Sequence, residues 1–243
     1  MISEVFSSVM GEGKYIGRRY IFIRFRGCPL NCVYCDESVK ESMPPRVERI
    51  PGSGILEEYP YIERDLVEIV NRLRTPDLFA VSFTGGEPLL HHERVREYSE
   101  ELRDLGYRTH LESNGIYPEK LFFFHYASID IKLPEHFKDL DERKYRRIYK
   151  LELRSIKKLY RMGSEVYAKV VVMEESDPEV VEGVARDIGD IGDITLCIQP
   201  VTPIKDIKPV PRGKLLKMME LCGKHLGDRV MCTPQIHKYL GLL

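Results

Sequence analysis

Three cysteines within one short stretch, Cys28, Cys32 and Cys35, are the residues whose type and spacing most directly promise chemistry. Thiolates are soft ligands, and three on one loop can hold three irons of a cubane cluster. A fully ligated cubane takes four cysteines. A trio therefore leaves one iron open, which suits catalysis by direct coordination better than simple electron transfer. The other metal reading is a zinc site completed by a distant histidine, and no histidine lies near this loop in sequence. Cys197, Cys222 and Cys232 show no ligand spacing and read as buried free thiols.

Five further polar motifs call for attention: Thr84-Gly85-Gly86-Glu87-Pro88, Glu112-Ser113-Asn114-Gly115, Asp130-Ile131-Lys132, Gln199-Pro200 and the segment Pro234–Tyr239. Each alone reads as an ordinary turn or strand end. What unites them is position, because each ends or follows an apolar, β-branched run. The predicted strands are Tyr20–Phe25, Leu78–Phe83, Arg108–Leu111, Ala127–Ile131, Val166–Met173, Ile194–Ile198 and Arg229–Met231. Between them, helical periodicity predicts Ile62–Leu73, His92–Leu105, a long helix around Leu140–Met162, Pro178–Ile188 and Gly213–Leu226. Gly106, Gly163 and Gly227 stand where helices end, and Asp177-Pro178 where one starts. Alternating strands and helices predict an α/β fold with a parallel sheet, either a partial (β/α)6-type TIM barrel or an open doubly wound sheet. In both, active sites lie at the carboxyl ends of the strands, where these motifs fall.

The chain has 243 residues, with 37 Lys+Arg against 38 Asp+Glu and a net charge of −1. Such a balance does not describe a general polyanion binder. No apolar run approaches the ~18–20 residues of a membrane helix, and the first residues, MISEVFSSVMGEG, lack the basic-then-apolar pattern of a secretory signal. Cytoplasmic location and one domain over residues 1–243 are expected. Segment 39–60 is charged and rich in Pro and Gly and reads as a long loop that could cover a site. Residues 143–161 carry nine Lys/Arg, with an apolar stripe through them, and read as an amphipathic helix with a solvated basic face rather than a nucleic-acid contact.

With the aromatic Tyr34 before its third cysteine, the Cys28-x3-Cys32-x2-Cys35 loop resembles that of the radical S-adenosylmethionine (SAM) superfamily. The resemblance implies a [4Fe–4S] cluster on Cys28, Cys32 and Cys35. The open iron chelates SAM, and an electron from the cluster releases a 5′-deoxyadenosyl radical. It also implies SAM contacts by Tyr34, Cys35 and Asp36, by the glycine-rich Gly85, Gly86 and Glu87, and by Ser113 and Asn114. Asp130, Ile131, Lys132, Gln199 and Pro200 complete that set. The fold implied is the partial barrel with family-specific insertions.

Both ends of the chain narrow the resemblance. Glu4-Val5-Phe6-x3-Met10-Gly11-Glu12-Gly13-x3-Gly17-Arg18, Phe22-Ile23-Arg24-Phe25-x-Gly27-Cys28, Cys35-Asp36 and the ending Gln235-Ile236-His237-Lys238-Tyr239-Leu240 are similar to the 7-carboxy-7-deazaguanine synthase family. That family contracts the ring of 6-carboxy-5,6,7,8-tetrahydropterin with loss of ammonia, assisted by Mg²⁺. Its product feeds queuosine or archaeosine in tRNA. The resemblance implies that Glu12 and the main-chain carbonyls of Val9, Met10 and Gly11 accept pterin N–H groups. Arg24 would clamp the substrate carboxylate, Thr84 and His237 would add hydrogen bonds, and the carboxylate of Leu243 would reach the substrate. Two departures are visible. Met10 stands where the family has glutamine, and Glu37 and Ser38 stand where it has the magnesium-binding threonine, so Mg²⁺ would rest on Glu37 or Ser38. Partners implied are a flavodoxin or ferredoxin as electron donor and a second copy of the chain as a homodimer, with no nucleic acid or membrane. A radical enzyme that activates a partner protein, or a zinc-bearing scaffold, remains as an alternative.

Overall fold

The computed structural model describes residues 1–35, 43–204 and 206–243. Its ten strands lie in one sheet, in the order β10-β9-β8-β7-β6-β5-β2-β1-β3-β4. Seven are parallel and follow the chain: β2 (Arg19–Phe25), β5 (Leu78–Gly85), β6 (Thr109–Ser113), β7 (Tyr126–Ile131), β8 (Glu165–Val172), β9 (Thr195–Pro200) and β10 (Val230–Cys232). These are the seven predicted from sequence, with bounds that agree to within two residues. The helices α1 (Leu66–Leu73), α2 (His92–Asp104), α3 (Glu142–Arg161), α4 (Pro178–Gly189) and α5 (Arg212–Leu226) fall in the connections between them. The β6–β7 crossover holds only a short 3-10 turn, Pro118–Lys120. This is the partial (β/α) barrel expected from the strand–helix alternation.

The helices form where apolar residues recur at helical spacing. In α1, Leu66, Ile69, Val70 and Leu73 make one buried stripe. The expected start at Ile62 is four residues early, because the Asp65 carboxylate is occupied by Tyr59 and Arg64 and the chain turns before the first helical residue. Two helices begin on side-chain caps: Asp141 accepts from Lys144 N–H and Asp177 from Glu179 N–H. β2 and β5–β9 are buried along most of their length, with apolar side chains on the face that helices cover and polar ones such as Ser82, His110, Ser128 and Lys169 on the other.

Three regions depart from the sequence reading. β1 (Ile2–Val9) runs antiparallel to β2 and is almost wholly buried. Its serines and Glu4 hide it from an apolar pattern. Glu4 is buried because Arg24 and Arg46 both pair with it. Within 39–60, expected as a loop, β3 (Arg46–Glu48) and β4 (Leu56–Glu58) extend the sheet beyond β1. Buried Glu48 holds that extension, accepting from Ser7 N–H and Gly54 N–H. The third is α6 (Ile236–Leu240), a short helix with no buried residue. No described helix is long and apolar enough to cross a membrane.

Candidate active site

One cavity of about 430 Å³ opens at the carboxyl ends of the parallel strands, within the size range of small-molecule sites. Its walls come from both ends of the chain and from every parallel strand through β9. The loop after β2 contributes Cys28, Cys32, Tyr34 and Cys35. Thr84, Gly85 and Gly86 end β5, Ser113 and Asn114 end β6, and Asp130 and Lys132 end β7. Gln199 comes from β9. The residues expected to meet substrate, Val9, Met10, Gly11, Glu12 and Arg24, line it from the end of β1, the loop after it and β2, and His237 and Leu243 from the carboxyl-terminal segment. Glu87, Ile131 and Pro200 are not among the lining residues. Asp36, Glu37 and Ser38 lie outside the described residues.

Close backbone packing sets the cysteine loop against the glycine-rich turn. Gly86 N–H donates to Phe25 O, and Glu87 N–H to Gly27 O, each at 2.8 Å. A Cβ on Gly86 would sit 2.2 Å from the Gly27 carbonyl oxygen, so only glycine permits this approach. Glu87 works behind the turn. It is fully buried and accepts from Leu89 N–H (2.9 Å), Ser113 Oγ (2.9 Å) and Asn114 N–H (2.8 Å). Its carboxylate thus ties β5 to β6. Burial pushes it up to about 7 despite these donors.

A histidine that the sequence reading did not select braces the other side of the loop. His136 is fully buried. Its Nε2–H donates to Val171 O (2.9 Å) while Nδ1 accepts from Leu133 N–H (3.0 Å), which defines a neutral tautomer. Burial, reinforced by Lys132, lowers it to about 3. Val33 N–H donates to His136 O (3.0 Å), and the Tyr34 ring packs edge-on against the imidazole at 4.7 Å. The aromatic residue before the third cysteine is therefore a packing anchor for the loop.

Across the cavity floor runs a chain of buried charges. Lys132 Nζ lies 3.0 Å from Asp130 Oδ2 and 3.2 Å from the Tyr34 hydroxyl. Lys169 Nζ lies 3.3 Å from Asp130 Oδ1 and 2.5 Å from Glu12 Oε2. Gln235 Nε2 donates to Glu12 Oε1 at 2.5 Å, and Thr202 Oγ1 donates to Gln235 Oε1. Burial acts to raise Glu12 and Asp130, but the lysines outweigh it and hold both carboxyls below their ordinary values. Burial likewise acts against charged Lys132 and Lys169, and their carboxylate partners override it, raising both. Glu112 lines the same floor, accepts from Ser82 Oγ (3.1 Å), and is pushed up to about 7 by burial. Lys169, Gln235 and Glu112 escaped assignment from sequence. Lys169 did leave a signal, a lone lysine inside the apolar run VYAKVVVM, which a buried strand carries only when it is paired.

The two termini close the cavity together. Ile236 N–H donates to Gly11 O (3.0 Å), and a Cβ on Gly11 would fall 1.8 Å from His237 Nδ1. The Met10 carbonyl already accepts from Gly17 N–H (2.8 Å), which leaves each of these carbonyls a second lone pair. Met10 itself is buried in the wall, an apolar side chain at the position noted above as a departure from glutamine. Phe6 and Phe22 stack at 5.3 Å, and the Arg24 guanidinium sits 4.9 Å over the Phe6 ring. Among the described residues the carboxylate paired with Arg24 is Glu4, at a long 3.5 Å, and the closer partner of Glu4 is Arg46.

The donor set fits an iron–sulfur cluster with SAM beside it. Among the described residues no three His, Cys, Asp or Glu side chains converge on one ion. A cubane needs no such convergence, because each thiolate holds its own iron. Asn114 Nδ2 lies 3.7 Å from Cys28 Sγ, an amide donor of the kind that tunes cluster sulfurs. Burial pushes the Cys32 thiol up to about 11, so iron would be what holds it as thiolate. Gln199 Oε1 is buried in the wall with no hydrogen-bond partner among the described residues. Such an orphaned acceptor is satisfied by an amino donor like that of adenine.

Comparison with known proteins agrees. Residues 22–188 match the family model of the radical SAM superfamily. The chain is 59% identical, over all of both chains, to the 7-carboxy-7-deazaguanine synthase of Methanocaldococcus jannaschii. It is 37% identical to that of Methanothermobacter thermautotrophicus, over 99% of this chain and 97% of the other. Among solved structures, QueE from Escherichia coli shares the fold, with a TM-score of 0.58 over 96% of this chain and 92% of that one, at 18% identity. Cysteine loop, strand-end motifs and both terminal segments therefore meet in one cavity of a chain that belongs to the radical SAM superfamily and, within it, to the 7-carboxy-7-deazaguanine synthase family.

Proposed function

We infer that this chain contracts the ring of 6-carboxy-5,6,7,8-tetrahydropterin to 7-carboxy-7-deazaguanine with release of ammonia. The observation that carries this reading is the meeting of the cysteine trio with Glu12, Arg24 and His237 in one cavity. Cluster and SAM, when bound, supply the radical that abstracts hydrogen from the pterin. The protein's own residues bind and orient. The stacked pair Phe6–Phe22 offers an apolar wall to a flat heterocycle, and Arg24 above Phe6 offers a guanidinium to its carboxylate. Glu12, kept ionised by Lys169, accepts ring N–H groups, as do the free lone pairs of the Met10 and Gly11 carbonyls. Thr84, His237 and the Leu243 carboxylate complete the substrate side. Asp130 and Lys132 present a carboxylate to ribose hydroxyls and an ammonium to the SAM carboxylate, and Gln199 an acceptor to adenine. Glu87 serves the SAM side by fixing Ser113 and Asn114 rather than by contact.

Mg²⁺ belongs to this reading through Glu37 or Ser38, immediately after the cysteine loop. So do one radical SAM domain over residues 1–243, a flavodoxin or ferredoxin as electron donor, a homodimer and a cytoplasmic location. The test is anaerobic incubation of the reconstituted protein with SAM, reductant, Mg²⁺ and the carboxytetrahydropterin. Formation of 7-carboxy-7-deazaguanine supports the reading; turnover to another product contradicts it.

A further inference from the structure

Helix α3 carries nine Lys/Arg against two Glu, in a chain whose net charge is −1. Lys144 and Arg146 pair with Asp141 and Glu142, and Lys158 Nζ donates to Pro118 O. The other six are Arg143, Arg147, Lys150, Arg154, Lys157 and Arg161. All six are exposed, and none has an ion-pair partner among the described residues. Their spacing alternates four and three residues. At 3.6 residues per turn this keeps all six within a stripe about 80° wide and about 27 Å long. The buried residues Glu152, Ser155, Ile156 and Leu159 lie on the opposite face. Like charges this close repel one another by a few tenths of a kcal/mol per neighbouring pair, about 0.2–0.5. Apart from Arg161, which sits favourably at the negative carboxyl end of the helix, the row has no stabilising partner among the described residues.

The stripe begins seven residues after His136, which braces the cysteine loop. Val33 and Tyr34 of that loop rest on His136, which ends the 3-10 turn Pro134–His136 leading into α3. Tyr145, in the first turns of α3, feels the charge of Glu135 in that same 3-10 turn. Cys28 and Cys35 are themselves exposed. The helix N-terminus adds its positive dipole end to the first cations of the row. An anionic protein drawn to this face is thereby brought up to the loop that would carry the cluster.

We propose that the basic face of α3 docks an acidic one-electron carrier protein, flavodoxin being the probe, with the row Arg143, Arg147 and Lys150 nearest the cluster. This rests on the functional reading above. The step is one electron only. The flavin hydroquinone loses it and becomes the semiquinone, the cluster gains it, and no bond or proton moves. A nucleic-acid partner fits less well, because the row has no aromatic side chains interleaved for base stacking; exposed Tyr160 lies at its far end.

The test mixes anaerobic, reconstituted protein with flavodoxin hydroquinone and follows the rise of the blue semiquinone. In Arg143→Glu/Arg147→Glu/Lys150→Glu the rate falls by about tenfold or more, as lost electrostatic steering predicts, and in the unaltered protein it falls steeply with salt. Reduction of the same variant by titanium(III) citrate stays unchanged, as does its circular dichroism. Binding of oxidised flavodoxin, measured without electron transfer, weakens in parallel. An unchanged flavodoxin rate, an equal loss with both reductants, or lost binding to a tRNA transcript with flavodoxin binding intact overturns the proposal. A protein that assembles no visible cluster chromophore contradicts the functional reading instead, and flavodoxin binding still decides the docking question.

Discussion

Replacing Lys169 by methionine tests the buried charge chain most sharply. The methionine keeps roughly the length and apolar stem and removes only the ammonium. Lys169 is almost fully buried and faces two carboxylates, Glu12 at 2.5 Å and Asp130 at 3.3 Å. At an effective dielectric of about 20, each contact is a gross attraction of about 5–7 kcal/mol. Most of that is offset by desolvation of the ammonium. Asp130 keeps Lys132, so Glu12 is the group left stranded, with Gln235 as its remaining partner. Breaking a buried pair in this way costs about 3–5 kcal/mol. For a chain of this size that is about 6–20 °C in Tm.

The pH dependence fixes the sign. In the unaltered chain the Glu12 carboxyl lies below 4.5, so its contribution is present above that value and is lost as pH falls through the lowered pKa. In Lys169→Met, burial acts with no lysine to oppose it and raises the carboxyl above 4.5, so stability is lost as pH rises through the new pKa. Urea melts of the cluster-free variant at about pH 8 and about pH 5 therefore show a deficit that shrinks in acid. Adding Glu12→Gln recovers a large part of the deficit at about pH 8, because the stranded charge is gone. A Lys169→Met protein within about 0.5 kcal/mol of the original, or a double variant whose losses simply add, would refute the reasoning.

Four further outcomes follow from the geometry. Gly86→Ala drives a Cβ into the Gly27 carbonyl, 2.2 Å away, so iron content after reconstitution falls sharply while the protein loses about 1–3 kcal/mol in urea melts. His136→Ala leaves Leu133 N–H and Val171 O without their buried partner, at about 1–3 kcal/mol each, and loosens Tyr34; the melt and the cluster's visible spectrum both report it. Buried His110 is lowered to about 3 from 6.5, so the unfolded chain binds its proton first and stability falls as pH drops through that window. His110→Gln flattens this acid limb by up to about 1.4 kcal/mol per pH unit, read from melts across the window. Serine at Cys28, Cys32 or Cys35 abolishes the chromophore, whereas serine at buried Cys197 or Cys222 lowers stability by about 1–3 kcal/mol and leaves iron content unchanged.

The sequence showed most clearly what repeats. The parallel strands were legible because one face packs on helices while the other is buried inside the barrel, which leaves few charged residues along them, and the rim motifs were legible because they follow those runs. β1 was not, since four of its eight residues are Ser or Glu, and three of these are held by partners 12 to 42 residues away: Ser7 by Arg19, Ser3 by the Arg24 carbonyl and Glu4 by Arg46. β3 and β4 are three residues each, too short for any period, and pair only because β1 offers an edge. At the site, motif residues could be proposed one by one, but the Glu12–Lys169–Asp130 chain joins three strands and loops and no spacing encodes it. His136 likewise sits in an unremarkable PEH turn, and its role arises only when Val171 and Tyr34 come together around it.

The most direct test of the account is the product balance of the anaerobic reaction. Reconstituted protein, SAM, reductant, Mg²⁺ and 6-carboxy-5,6,7,8-tetrahydropterin are combined, and 7-carboxy-7-deazaguanine and ammonia are quantified by mass spectrometry and an ammonia assay. The account predicts that the two appear in equal amounts, and that Glu12→Gln and Arg24→Met each lower product formation by about tenfold or more while the cluster spectrum is retained, since each removes one charged contact to substrate. SAM cleavage with no deazaguanine, or full turnover by both variants, would contradict it.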